Sequence, residues 1–205
     1  MDSSQHIEIS EKFIQWLDKQ IDGLVIGTDL RRKLAAGCLD MADEHHKAII
    51  ILISKRLNGA AFALMRLLFE SYVRGVWLHR CATESELDDF TKGQIPKFWK
   101  LVAAVEKTDG YKNGVISRIK SRSWDAMNGY THTGFQQIAR RHTESTIQPN
   151  YDDAEILEAI NFSYAIAATA SIAICDLVGN TALAERILRR ATTDLGNKQA
   201  ITDQT

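Results

Sequence analysis

Apolar residues recur at intervals of three and four along most of the chain, which is the spacing of one face of an α-helix. Ser10 can cap a first helix that runs to about residue 22, and Thr28 or Asp29 can cap a longer second helix. From Ile49 to Ile53 the second helix is apolar on every side, so we expect that end to be fully buried. We find no segment with the two-residue period of a strand, and the pattern therefore predicts a helical protein.

Turn and capping residues divide the rest of the chain. Asn58-Gly59 is the first strong break after the second helix, and the helix that follows is about 20 residues long. A short link between two long helices favours an antiparallel hairpin over about residues 28–81. Further helix boundaries are predicted at Thr83 with Glu86, Pro96, Val115, Asp152 or Asp153, Gly179 and Thr181.

These elements predict an all-α, antiparallel helical bundle. We expect one domain over residues 1–195 and a polar C-terminal tail over residues 196–205. The most apolar stretch, Tyr164 to Cys175, spans about 12 residues, whereas a membrane-crossing helix needs roughly 20. It is therefore interpreted as a buried helix, whose alanines and serines allow close packing, and no membrane partner is expected.

Charge and cysteine content narrow the function classes. The formal net charge is -1, so no global basic field indicates nucleic-acid binding, and any such site must be a local patch. The three cysteines are far apart and form no CxxC pair, which makes a cysteine zinc site an unfavourable interpretation. The N-terminus lacks the basic and apolar segments of a signal peptide, and a reducing, cytoplasmic location is expected.

Arg66, Glu70 and Arg74 form the first candidate cluster. Steps of four residues drift by about 40° each, so the three side chains lie within roughly 80° of helix surface. One interpretation is a surface ladder, or an ion-pair network that bridges helices. The other is an anion or phosphate site in which Glu70 orients the two guanidinium groups.

Arg74 and His79 form an Arg-x4-His pair in the same helix. Five residues of a regular helix leave two side chains about 140° apart, so they would diverge. They could meet only at a helix end, across a dimer, or at a kink, which Gly75 makes conceivable. His79 near the helix C-terminus could also simply interact with the helix dipole.

Asn128 and His132 share a helix face in AMNGYTHTG. A solvated face is one interpretation, and a functional one makes neutral His132 a general base near physiological pH. Arg140 and Arg141 could add a basic edge around His132.

His45 falls on an apolar stripe and is expected to be a core histidine. A di-metal bundle would need Glu-x-x-His twice. The nearest match is Asp43-x-x-His46, which occurs once, so no metal and no cofactor are predicted.

The segment LMRLLFESYVRGVWLH, followed by MNGYTHTG, resembles the HEPN-like superfamily of small helical bacterial domains. That resemblance implies two long antiparallel helices, a homodimer, and metal-independent RNA cleavage by an Arg with a His four to six residues later. Arg74 and His79 match the spacing, but Gly75 stands where a polar residue is common. Asn128 and His132 match the polar residue and the His, with Met127 in place of the Arg. A neighbouring cation, Arg66 or Arg74, would then complete the site.

The expected function is accordingly RNA binding, or endoribonuclease activity, in a bacterial defence or toxin-antitoxin setting. The resemblance makes His132, Asn128, Arg74 and Glu70 the candidate catalytic residues, and Arg66, His79, Arg140 and Arg141 the candidate substrate-binding residues. A protein partner, a non-catalytic scaffold role and a small-ligand sensor stay open as alternatives. A scaffold protein would assemble through the Ala/Ser face around Ala167 to Ala173.

Overall fold

The computed structural model describes residues 3–202, with side chains through residue 196, and this part of the chain is helical. The helices are α1 (Ser3–Ile21), α2 (Leu30–Ser54), α3 (Asn58–Arg80), α4 (Glu84–Thr91), α5 (Phe98–Val105), α6 (Val115–Thr131), α7 (Phe135–Ala139), α8 (Asp153–Val178) and α9 (Thr181–Thr202). Among the described residues, the only strand-like pairing is one isolated bridge between His142 and Ile147. The all-α prediction is confirmed.

The long hairpin predicted near residues 28–81 is formed by α2 and α3, which pack extensively against each other. Gly75 explains how closely they approach. A Cβ atom at that position would lie 2.6 Å from Cγ of Leu39 and 3.2 Å from the backbone oxygen of Ala35. The glycine therefore serves close packing of the two helices.

Helix α8 is the central helix of the bundle, in contact with α1, α2, α3 and α9. Its Ala/Ser centre is buried, with Ala167, Ala170 and Ser171 fully enclosed. By length and composition α8 could cross a membrane, but 67% of its most apolar window is buried inside the protein, as in the core helix of a soluble protein. This face packs within the chain. The prediction that a scaffold protein would assemble through the face around Ala167 to Ala173 is therefore wrong.

Two apolar clusters fill the bundle. The larger one joins α2, α3 and α8 to the shorter helices α5 and α6, and includes Leu39, Phe69 and Leu101. The smaller one lies where α1 and α9 meet α8, around Phe13 and Tyr164. The larger cluster fixes α6 against one flank of α3, which is the arrangement that builds the candidate site.

Two predicted helix caps are present. Asp29 accepts a hydrogen bond from the backbone N–H of Arg32 at 2.9 Å, at the start of α2. Thr83 and Glu86 form the reciprocal capping box of α4. At the start of α9 the cap lies one residue before the predicted Thr181, because the side chain of Asn180 accepts the capping hydrogen bond.

Ser10 is not a cap. Helix α1 begins at Ser3, and Ser10 is buried with its hydroxyl donating to the backbone oxygen of His6 at 2.9 Å. The inner face of α1 carries small and polar residues in its first two turns, so the apolar spacing does not predict that part of the helix. At the other end α9 stays helical to Thr202, past the predicted start of the polar tail, while residues 203–205 lie outside the described residues.

The histidine pair of α2 also differs from its prediction. His46, not His45, is the fully buried core residue, and its Nδ1 lies 3.0 Å from the hydroxyl of Ser163. His45 is half-buried. The buried face of α2 runs through Leu39, His46 and Ile53, so the core stripe is displaced by one residue from the one predicted.

Candidate functional site

The stripe on α3 is a continuous ion-pair ladder. Nε of Arg66 donates to Oε1 of Glu70 at 2.7 Å, and Nη2 of Arg74 donates to Oε2 of the same carboxylate. Glu70 is only 6% exposed, whereas both arginines keep part of their surface in solvent. One buried carboxylate therefore holds two guanidinium groups in place.

Helix α6 supplies the other half of the site. The guanidinium of Arg66 lies over the ring of Trp124, 4.8 Å from the centroid, and Nζ of Lys120 lies 5.6 Å from the same ring. The ring is itself stacked on Phe98 of α5, with centroids 4.7 Å apart and planes 10° from parallel. This aromatic pair fixes Trp124, and through it the position of the Arg66 head group.

His132 meets Arg66 at the C-terminal end of α6. Nη1 of Arg66 lies 2.9 Å from Nε2 of His132. A guanidinium only donates, so Nε2 of the imidazole is the acceptor in this contact. The ring of His132 is exposed to solvent.

The turn after α6 fixes the position of His132. The hydroxyl of Thr131 donates to the backbone oxygen of Met127 at 2.8 Å and also lies 3.3 Å from the backbone oxygen of Ala63 in α3. Thr133 adopts a left-handed φ of 55°, and the N–H of Gly134 returns to the oxygen of Gly129 at 2.6 Å. A Cβ at position 134 would lie 2.9 Å from the Cα of Gly129, so the turn requires a glycine there.

Two of the candidate site residues have a buried polar atom without a hydrogen-bond partner among the described residues. The atoms are Oδ1 of Asn128 and Nε of Arg74. Asn128 lies one helical turn from both Trp124 and His132 on α6. A buried acceptor and a buried donor without partners are costly, so each favours a water or ligand that completes its bonding.

The cluster makes a local cationic patch on a chain of net charge -1. Arg66, Arg74 and Lys120 outnumber the single carboxylate of Glu70. Burial raises the pKa of the Cys38 thiol on α2, and the nearby positive charge of Arg74 partly offsets this rise. Within the described part of the chain, no group of three or more His, Cys, Asp or Glu side chains could hold a metal ion.

The profile of a protein family described as Family of unknown function (DUF6988) matches residues 39–194. The chain belongs to this family. No curated protein and no solved structure matches the chain. The DUF6988 region begins within α2 and ends within α9, so it contains both halves of the Arg66–His132 site.

Three of the predicted substrate-binding residues lie elsewhere in this DUF6988 protein. His79 lies 3.0 Å from the carboxylate of Asp176 in α8, and Arg80 binds the same carboxylate, so His79 serves helix packing. Arg140 donates to both oxygens of Glu155. Arg141 is exposed beside a separate shallow cavity. The Arg74–His79 pair does not converge, as the helical geometry predicted.

Trp124 is the residue that sequence reasoning missed. The chain carries a usable signal, because Trp124, Asn128 and His132 follow one another in steps of four and share a face of α6. From the sequence, only the polar members of this face, Asn128 and His132, are predicted as candidate residues. In the structure it is the support on which Arg66 rests.

Proposed function

We propose that this chain is a HEPN-like cytoplasmic protein that binds RNA and cleaves it without a metal, in a bacterial defence or toxin-antitoxin setting. The observation that carries the proposal is the hydrogen bond from Arg66 to His132. It joins a guanidinium, the preferred protein group for binding a phosphate, to an imidazole, the commonest general base. Met127, which stands where the motif's Arg would be, is buried, and Arg66 supplies the missing cation.

The resting geometry indicates how a substrate would start the reaction. The electron pair on Nε2 of His132 is occupied by the hydrogen bond from Arg66. A phosphodiester that takes the Nη1 donor of Arg66 releases Nε2, which can then accept the proton of the ribose 2′-hydroxyl. The 2′-oxygen bonds to phosphorus, the bond from phosphorus to the 5′-oxygen breaks, and the leaving oxygen takes a proton from solvent. The imidazolium of His132 then returns its proton to solvent. The products are a 2′,3′-cyclic phosphate and a 5′-hydroxyl.

The other residues have supporting roles in this scheme. Arg66 and Arg74 stabilise the negative charge that develops on the phosphorane oxygens. Glu70 is a positioning residue, since its buried carboxylate fixes both guanidinium groups. Asn128, with its unpartnered amide oxygen, would orient the ribose or the base by accepting a hydrogen bond.

Expression in a bacterial host and cleavage in vitro test the proposal together. We expect wild-type expression to slow growth and degrade cellular RNA, and the purified protein to cleave a single-stranded RNA in the presence of a chelator. His132→Ala and Arg66→Ala should abolish both effects. His142→Ala and Arg189→Ala are matched controls, because both residues are exposed and outside the cluster. Intact RNA in every sample, or cleavage that both site variants retain, would overturn the catalytic proposal.

The same experiment separates cleavage from binding alone. A non-catalytic RNA-binding protein would leave RNA intact yet bind it with a salt dependence that Arg66→Ala weakens. The homodimer is also part of the proposal, and light scattering of the purified protein measures it. Its interface would lie outside the Ala/Ser face of α8, which is buried within the chain.

A further inference from the structure

A second site lies on the other side of α6, in a cavity of about 300 Å³ between α3, α6 and α8. This volume is at the lower end of the range for small-molecule sites. Its walls combine polar and charged side chains with apolar and aromatic ones, which include Phe62, Met65, Tyr130 and Phe162. The rings of Phe62 and Tyr130 are tilted by 59° with their centroids 4.9 Å apart, so this part of the cavity wall is a packed aromatic pair.

The charges around this cavity fall into two groups. Arg140 and Glu155 form a closed ion pair, with Nε of Arg140 at 3.0 and 2.9 Å from the two carboxylate oxygens. Arg122 of α6 and Glu158 of α8 also line the cavity, but neither has an ion-pair or hydrogen-bond partner in the described part of the chain. The cavity therefore presents one available cation from α6 and one available anion from α8, beside apolar and aromatic side chains.

We propose that this cavity binds a small zwitterion with an apolar body, the chemical class of the hydrophobic α-amino acids. The ligand carboxylate would pair with Arg122 and its ammonium with Glu158, while the apolar side chain packs against Phe62, Met65 and Phe162. Arg122 offers two parallel N–H donors, the geometry that suits a carboxylate. The closed Arg140–Glu155 pair borders the site without competing for either charge. This inference is independent of RNA cleavage.

The size of the cavity limits the ligand further. A site of this volume accommodates an amino-acid side chain such as that of leucine or phenylalanine, whereas a nucleotide or a peptide would extend beyond it. Burial, and after it the charge of Glu155, raise the pKa of the Tyr130 phenol, so this wall stays neutral and adds no competing negative charge.

Thermal unfolding of the full chain with defined probes tests the proposal. L-phenylalanine and L-leucine should raise the melting temperature at millimolar concentration. Phenethylamine lacks the carboxylate, 3-phenylpropionate lacks the ammonium, and glycine lacks the apolar body. Each should bind about tenfold or more weakly, the ratio expected for the loss of one charge-assisted or apolar contact. Equal stabilisation by the singly charged probes, or none by any probe, would overturn the proposal.

Variants locate the binding in this cavity. Arg122→Ala and Glu158→Gln should each weaken L-phenylalanine binding about tenfold or more in calorimetry. Ala126→Trp should block it by filling the cavity from its exposed rim without changing a charge. Arg189→Ala and Glu185→Gln, exposed on α9, are matched controls that should leave binding unchanged. Binding that survives all three cavity variants would place the ligand elsewhere and reject this site.

Discussion

Nη1 of Arg66 lies 2.9 Å from Nε2 of His132, although the two residues are 66 positions apart in the chain. The contact joins the middle of α3 to the C-terminal end of α6, and Glu70 and Trp124 hold the arginine in place on either side. Because Arg66 can only donate, the contact requires Nε2 of His132 to accept. An anion that takes this donor of the arginine would therefore break the contact.

The first prediction separates the shape of the Arg66 side chain from its charge. Arg66→Lys keeps the positive charge but cannot donate to both Glu70 and His132 from a planar fork, as Nε and Nη1 of the arginine do. We expect the RNA cleavage rate to fall by about 10²-fold, similar to the loss of one oriented donor in an active site. Single-turnover cleavage of a labelled RNA measures it, with Arg189→Lys as the control. A rate equal to wild type would exclude a role for the fork.

The second prediction concerns Glu70, whose carboxylate is buried between two arginines. Glu70→Gln keeps the volume but leaves both guanidinium groups without their counter-charge. We expect the free energy of unfolding to fall by about 2–3 kcal/mol, below the value for breaking a fully buried pair because the arginines are partly exposed. Urea unfolding measures it. Glu158→Gln, an exposed carboxylate without an ion pair, should change it by less than about 0.5 kcal/mol.

The hairpin and the ladder on α3 could be predicted from sequence, because both depend on local helical spacing. Residues 66, 70 and 74 are neighbours in any regular helix, wherever that helix packs. The contact with His132 could not be predicted in the same way. It depends on which flank of α3 receives α6, and that is decided by the apolar cluster and by the turn at Gly134.

Two of the errors have a common physical cause. Ser10 and His46 are polar residues on buried faces, and each satisfies its side chain through a local or cross-helix hydrogen bond. A pattern that equates polar with exposed displaces the core stripe at such positions. Such a pattern therefore predicts His45 as the core histidine and places the start of α1 too late in the chain.

The third prediction tests the close approach of α2 and α3. Gly75→Ala would place a Cβ 2.6 Å from Cγ of Leu39, so the helices must separate or Leu39 must move. We expect a loss of about 1–3 kcal/mol in unfolding free energy, the usual cost of overpacking. Gly37→Ala on α2 is a matched control, since a Cβ there meets nothing within 4 Å. It should stabilise the helix by about 0.5–1 kcal/mol, and the opposite ranking of the two variants would contradict the packing explanation.

The last prediction concerns pH and the Arg140–Glu155 pair. The hydrogen bond from Arg140 lowers the pKa of the Glu155 carboxyl below its ordinary value of 4.5, and this outweighs the effect of partial burial. A pKa that is lower in the folded state means that the pair stabilises the fold fully above the ordinary carboxyl value. That contribution is lost as pH falls through the lowered value. The difference in unfolding free energy between wild type and Glu155→Gln should therefore be constant near neutrality and shrink below 4.5. Urea unfolding across this range measures it, with Glu158→Gln as the control, and a difference that grows on acidification would show that the pair does not lower this pKa.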